Sequence, residues 1–158
     1  MEKTYIRILK ESLCRKKELL ESLTKCNKRQ EEILRQEVID WKAFDEETIQ
    51  KEKYIDELTR LDEGFDLIFA KVKEELVDHK EEYKEDILFM KKLIQTISDL
   101  SASLESGEYR NKAMIEQCFQ KERSRINKKR VSAKVASVYY QNTKQINYVD
   151  PQMLDKRK

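Results

Sequence analysis

The sequence predicts an all-α protein, an elongated antiparallel helical bundle or coiled coil of three to four long helices with a mobile C-terminal tail. Three observations predict this fold class. The 158 residues include only two glycines and one proline, which leaves few places for the chain to turn. Charged side chains make up 41 % of the residues. Apolar residues recur at spacings of three and four, the period of a helical face that packs on a neighbour.

The first predicted helix runs from about residue 3 to residue 37. Its apolar residues follow the alternating three- and four-residue step of a heptad seam: Ile6, Leu9, Leu13, Leu20, Leu23 and Leu34. A second, adjacent line consists of Leu19, Cys26 and Ile33. Lys16, Asn27 and Gln30 interrupt the seam, so it is not a perfect zipper. Because one helix cannot bury its stripe alone, this helix must pair with a neighbour.

Residues 38–41 predict the first turn. Asp40 can accept hydrogen bonds from the first free amides of the next helix, and the acidic run 45–47 suits a position near a helix start. The second helix then places six residues toward the first: Trp41, Phe44, Thr48, Ile55, Leu58 and Leu61. Residues 62–64, Asp-Glu-Gly, are the next expected break, although a continuous but kinked helix is left open.

After the expected break, one helical face carries Phe65, Ile68, Phe69, Val72 and Leu76. The apolar periodicity stops at residues 77–82, which predicts a loop or an exposed turn there. The last long helix resumes around Tyr83 and places Ile87, Met90, Ile94, Ile97, Leu104, Ile115 and Cys118 at heptad-like spacing, with Ser101 on the same line. Ser106 and Gly107 could kink this helix or end it.

The expected domain organisation is a helical bundle over residues 1–130 and a C-terminal tail over residues 131–158 that is at least partly disordered when free. Pro151 disfavours helix at Asp150. Chain ends are normally polar and loose, whereas this tail holds three tyrosines and several aliphatic residues. Such residues either dock on the bundle or await a partner, for example an amphipathic helix.

Charge is distributed unevenly along the chain. Residues 37–86 carry eight basic and eighteen acidic side chains, and residues 121–158 carry eleven basic and three acidic ones. This asymmetry can steer a partner, draw the two segments together or simply maintain solubility. Seven basic residues between 121 and 134 would suit phosphate binding, but no recognition-helix turn is visible and the acidic middle would repel DNA. We therefore expect no nucleic-acid partner.

Signals for catalysis are nearly absent, and we expect no enzymatic activity and no cofactor. The sequence has no glycine-rich phosphate loop, nucleophile elbow or metal-ligand spacing. Cys14, Cys26 and Cys118 are interpreted as small packing residues, and His79 as a solvated helix position. No apolar run is long enough for membrane insertion, and charges near the start argue against a secretory signal, so we expect a cytoplasmic protein.

Three segments carry a family resemblance. They are Lys51–Leu58 leading into Leu61–Phe65, the stretch Val131–Tyr140, and the ending Tyr148–Lys158. Together with the first heptad helix, they make the chain similar to flagellar export chaperones of the FlgN type, over nearly its whole length. The FliT type is closely similar, and the two are not separable from this chain.

The resemblance implies a specific function. Such chaperones bind hook-associated proteins in the cytoplasm, cover their terminal amphipathic helices and deliver them to the flagellar type III export apparatus; the FliT type serves the filament cap protein. Their substrate-binding surface is associated with the C-terminal part, which in this sequence implies Val135, Val138, Tyr139, Tyr140, Tyr148, Met153 and Leu154. The alternatives are a coiled-coil scaffold or self-associating protein without an export client and, as a weaker alternative, a nucleic-acid binder that uses its basic tail. A homodimer is possible in either case.

Overall fold

Three long helices account for most of the described chain in the computed structural model. The structure describes residues 2–123 and the pair 137–138. Helix α1 spans Glu2–Leu34, α2 spans Trp41–Asp78 and α3 spans Lys84–Arg123. The prediction of an all-α fold is confirmed for this part of the chain, which holds three long helices. Of the expected tail, only residues 137 and 138 fall within the described part.

Helix α1 packs along both of the other helices. Its contacts with α2 run in opposite residue order, as the side-chain pairs Arg15–Glu57 and Arg29–Glu47 show. Its contacts with α3 run in the same order, as Lys10–Asp86 and Asn27–Asn111 show. The first helix therefore shares a core with each of the other two along most of its length.

All three helices bury residues that alternate in steps of three and four, as a heptad seam does. On α1 these are Ile6, Leu9, Leu13, Lys16, Leu20, Leu23, Asn27, Gln30 and Leu34. On α2 they are Trp41, Phe44, Thr48, Lys51, Ile55, Leu58, Asp62, Phe65, Val72 and Leu76, with the partly buried Phe69 at the step between Phe65 and Val72. On α3 they include Met90, Ile94, Ile97, Ser101, Leu104, Glu108, Asn111 and Ile115. Every buried polar or charged residue of the described chain lies on one of these seams.

The break expected at residues 62–64 is absent, because α2 continues through it. Asp62 occupies a seam position, where its carboxylate accepts hydrogen bonds from Lys16 of α1 at 3.1 and 3.3 Å. Gly64 is exposed and keeps an ordinary negative φ, so it does not interrupt the helix. Likewise, α3 continues through Ser106 and Gly107. Asp62 therefore serves the packing of a continuous helix and does not mark a turn.

The predicted turns are confirmed with small shifts. Helix α1 ends at Leu34, three residues before the predicted end, and the connection covers residues 35–40. The predicted cap is present, since Asp40 Oδ1 accepts a hydrogen bond from the amide of Ala43 at 3.0 Å. The second connection covers residues 79–83. There His79 is the exposed C-cap of α2, and its amide donates to the carbonyl of Glu75.

Candidate functional site

A layer of six polar side chains crosses the bundle from α1 to α3. Each helix contributes two neighbouring seam residues, and we call them together the polar layer: Asn27 and Gln30, Thr48 and Lys51, Glu108 and Asn111. All six are buried. Because buried polar groups are tolerated only when they are hydrogen-bonded, the layer requires mutual positioning of all three helices.

Lys51 is the centre of the polar layer. Its Nζ lies 2.6 Å from Glu108 Oε1, 3.0 Å from Gln30 Oε1 and 3.2 Å from Asn27 Oδ1. The two amide oxygens accept hydrogen bonds from the ammonium group, and the carboxylate lies within ion-pair distance of it. Two of these acceptors come from α1 and the carboxylate comes from α3. The charge of a lysine with no exposed surface is thereby balanced by one carboxylate and two amide oxygens.

Hydrogen bonds among the remaining members complete the polar layer. Gln30 Nε2 donates to Thr48 Oγ1 at 2.8 Å and to the carbonyl of Phe44 at 3.2 Å. Asn111 Nδ2 donates to both the side-chain and the main-chain oxygen of Asn27, each at 3.0 Å. These bonds hold the Asn27 amide in a fixed orientation between α2 and α3.

Gly107 is buried beside the polar layer and allows α3 to approach α1 closely. A Cβ atom at this position would lie 2.6 Å from Asn27 Nδ2, which is closer than side-chain carbons pack. Asn27 cannot withdraw easily because its oxygen atoms receive hydrogen bonds from Lys51 and Asn111. Gly107 is therefore required by the space that Asn27 occupies.

A second buried ion pair lies nearer the middle of α1. Lys16 is 1 % exposed, and its Nζ lies 3.1 Å from Asp62 Oδ1. This pair joins α1 to α2, whereas the polar layer joins all three helices. Apolar seam residues surround the pair along the chain, including Leu13 and Leu20 on α1 and Leu58 and Phe65 on α2.

Beyond the polar layer lies a small apolar cluster at the end of the bundle where α1 connects to α2. We call it the terminal cluster; its buried members are Leu34, Trp41, Phe44 and Ile115, and its partly buried members are Ile33, Ile39, Met114, Cys118 and Phe119. The Trp41 ring meets Phe44 edge-on at 5.6 Å and Phe119 at 6.1 Å between ring centroids. The larger apolar core on the other side of the polar layer is called the main core.

The three cysteines are free thiols in positions without a metal-binding set. Burial raises the pKa of the Cys26 thiol, and the neighbouring Glu47 raises it further. Burial also raises the pKa of Cys118. Within the described residues, no three histidine, cysteine or acidic side chains converge as a metal ion would require. Raised thiol pKa values reduce the thiolate fraction, which favours a packing role for these two cysteines.

Several large apolar side chains are exposed on the described surface: Val38, Ile49, Leu67, Val77, Leu88, Phe89 and Tyr109. Two aromatic rings have a lysine above them, with Lys10 Nζ 5.7 Å from the centroid of Phe89 and Lys71 Nζ 5.4 Å from that of Tyr5.

A shallow pocket of about 270 Å³ lies between the start of α1 and the connection at residues 79–83. The Lys10–Asp86 ion pair, with an N–O distance of 2.6 Å, belongs to its lining.

The partner-binding residues implied by the sequence lie almost entirely outside the described residues. These are Val135, Tyr139, Tyr140, Tyr148, Met153 and Leu154. Val138 is described, and it has helical backbone and a half-buried side chain. Because all but Val138 lie outside the described residues, the role of this set stays a prediction.

Comparisons of the chain with protein family models, curated proteins and solved structures returned no match. None of the described helices is both long and apolar enough to cross a lipid bilayer. Any functional argument for this chain therefore depends on its own residues and their geometry.

Sequence reasoning missed the polar layer as a unit, although it singled out three of its six residues, among them Thr48 on the face of α2 toward α1. Asn27 and Gln30 stood out as interruptions of the first seam. Their partners Lys51, Glu108 and Asn111 follow the same three- and four-residue steps on the other helices. A continuous heptad register extended through the polar residues of α2 and α3 would have placed them all on seams.

Proposed function

We propose that this chain is a cytoplasmic flagellar type III export chaperone that binds the terminal amphipathic helices of hook-associated proteins or of the filament cap protein. In this role it prevents premature assembly of these subunits and delivers them to the export apparatus. The proposal is supported by the FlgN-type resemblance and by the all-helical architecture of residues 2–123.

One observation carries the proposal. The seams of α1, α2 and α3 are occupied throughout by residues of these same helices, including paired polar ones. We propose that the apolar residues of the segment 131–154 serve a partner and not this core, and an amphipathic helix is the kind of partner that suits them. Tyrosines are well adapted to such contacts because they offer a large area with few rotamers to immobilise.

The same proposal includes the packing of the bundle. We infer that α1 and α2 lie antiparallel and that the three helices form a coiled coil. Opposite residue order in the α1–α2 contacts supports the first point. Seam spacing of three and four on every helix supports the second. The tail continues from α3 after Arg123, at the end of the bundle where the terminal cluster lies.

The proposed client site consists of Val135, Val138, Tyr139, Tyr140, Tyr148, Met153 and Leu154. We propose that the tail is at least partly disordered alone and becomes helical around Tyr139 when a client binds. Ordering a disordered segment costs about 2–5 kcal/mol, which keeps the affinity moderate and permits release at the export apparatus.

Titration calorimetry of the full chain with purified hook-associated proteins and filament cap protein tests the proposal. We expect one of these clients to bind, and a Tyr139→Asp/Tyr140→Asp variant to lose about tenfold or more in affinity, or about 1.4 kcal/mol. Leu67→Asp is the matched control, because Leu67 is an exposed apolar residue of the bundle surface. Absence of binding to every such subunit, or an equal loss in the control, would reject the proposed function.

A coiled-coil scaffold is the second candidate, favoured by the length of the heptad-spaced seams. A scaffold would self-associate in a concentration-dependent way, which light scattering after size-exclusion chromatography measures. Client binding without such association favours the chaperone.

A nucleic-acid binder is a weaker candidate, because α2 carries twice as many acidic as basic residues. The affinity of such a protein for nucleic acid would fall steeply as the salt concentration rises.

A further inference from the structure

The polar layer divides the apolar interior at the same level on all three helices. On α1 it separates Leu23 of the main core from Leu34 of the terminal cluster. On α2 it separates Phe44 from Ile55, and on α3 it separates Leu104 from Ile115. The two apolar regions are therefore joined mainly through hydrogen-bonded polar groups.

The terminal cluster is much smaller than the main core. It has four buried apolar side chains, whereas the main core has sixteen. Local stability follows the amount of buried apolar contact, so the terminal cluster belongs to the low-stability end of the bundle. It also consists of helix ends next to a connection, where the last turns of α1 meet the first turns of α2.

Polar and apolar layers respond differently when water reaches them. An opening that ends within an apolar core leaves apolar side chains in contact with water, at a cost proportional to their area. An opening that ends at the polar layer exposes an ammonium, a carboxylate and amides, which recover hydration lost on burial. The free energy therefore rises less for an opening that reaches Lys51 and Glu108 than for one that continues to Leu23 and Ile55.

We propose that the terminal cluster opens as a cooperative unit of its own while the main core stays folded, and that the polar layer sets where this opening stops. The unit comprises the end of α1, the connection 35–40, the start of α2 and the last turns of α3. Its opening exposes Trp41, Phe44 and Ile115 at the end of the bundle from which the C-terminal segment continues.

Trp41 is the only tryptophan in the chain and reports on the terminal cluster alone. Urea titration of the full chain should therefore give a fluorescence transition at a lower midpoint than the far-ultraviolet circular dichroism transition, which follows all three helices. Native-state hydrogen exchange should give the amides around Trp41 and Ile115 lower opening free energies than those from Leu9 to Leu23. Coincident transitions together with equal opening free energies would overturn the proposal.

Two matched substitutions on one seam sharpen the test. Ile115 and Leu104 are each 1 % exposed and lie on α3 on opposite sides of the polar layer. Ile115→Ala should lower the fluorescence midpoint and leave the circular dichroism midpoint nearly unchanged. Leu104→Ala should lower the circular dichroism midpoint. Equal shifts of both midpoints in both variants would contradict the proposal, and the hydrogen exchange of the unmodified chain decides the question if either variant fails to fold.

Discussion

Lys51 of α2 and Glu108 of α3 form an ion pair with an N–O distance of 2.6 Å, and neither residue has appreciable exposed surface. Two amide oxygens of α1 complete the surroundings of the ammonium group. The pair thus depends on all three helices being correctly aligned along their axes. A shift of α2 against α3 by one seam position would separate the two charges and leave each buried without its partner, which is strongly unfavourable.

Removing only one member of this pair should be costly. Glu108→Ala leaves the Lys51 ammonium buried without its carboxylate, and we expect a loss of about 3–5 kcal/mol in the free energy of unfolding. The double variant Lys51→Met/Glu108→Leu removes both charges, and its free energy of unfolding should fall clearly less than that of Glu108→Ala. Urea titration followed by circular dichroism measures both values. Equal losses in the single and double variants would show that charge pairing is not the dominant effect.

The two glycines should respond in opposite directions to the same substitution. Gly107→Ala forces a Cβ against Asn27 Nδ2, and we expect a net loss of about 1–3 kcal/mol from overpacking. Gly64→Ala lies on α2 with no atom within 4 Å of the added carbon, and we expect a gain of about 0.5–1 kcal/mol from helix propensity. Thermal or urea unfolding of both variants checks the signs, and a stabilised Gly107→Ala would contradict the close approach of α3 to α1.

Asp40 should stabilise the start of α2. Its carboxylate accepts a hydrogen bond from the amide of Ala43, so Asp40→Ala should lower the free energy of unfolding by about 1 kcal/mol. Asp40→Asn keeps an oxygen acceptor and should retain most of the stability. If the terminal cluster opens separately, the loss will be measured in the Trp41 fluorescence transition. An alanine variant as stable as the asparagine variant would exclude capping as the cause.

The surface pair of Arg15 and Glu57 should make a small contribution to the free energy of unfolding, and this contribution should depend on pH. Hydrogen bonds from Arg15 at 2.6 and 2.9 Å hold the pKa of Glu57 below its usual value. A depressed carboxyl pKa stabilises the fold above the ordinary glutamate value of about 4.3, and this stabilisation is lost as the pH falls through the lower folded-state pKa. Because both side chains are more than a third exposed, we expect the pair to stabilise the fold by less than about 1 kcal/mol.

Comparison of Glu57→Gln with the unmodified protein measures this contribution. The variant should be slightly less stable near pH 7, and the difference should disappear as the pH falls far enough to protonate the carboxyl group in both states. Glu63→Gln, at an exposed position of the same helix, serves as the control. A difference that persists unchanged at low pH would assign the effect to packing of the side chain.

Apolar periodicity made the seam of α1 predictable. Leu9, Leu13 and Leu23 have no exposed surface, and the second line through Leu19 and Cys26 is also buried. Helix α2 was predicted with a break because Asp62 and Gly64 together resemble a turn. Local sequence could not show that Asp62 faces Lys16, since this contact joins residues 46 positions apart.

The partners within the polar layer depend on the relative alignment of three helices, which composition does not reveal. Asn27 was recognisable as an exception on an apolar line, but nothing near it in sequence points to Lys51 or Asn111. A heptad register that accepts polar residues, applied to every helix, recovers these positions. The distances and the role of Gly107 follow only from the packed structure.

Because the helices are synthesised in order, the two side-chain amides around Lys51 are available to it before its carboxylate partner is. Asn27 and Gln30 precede Lys51 along the chain, while Glu108 leaves the ribosome 57 residues after it. A hairpin of α1 and α2 that formed before α3 was made would hold Lys51 through these two amide oxygens, without the carboxylate of Glu108. Arrival of the carboxylate then completes the polar layer, so among α1, α2 and α3 the helix made last is the one that supplies the counter-charge of this lysine.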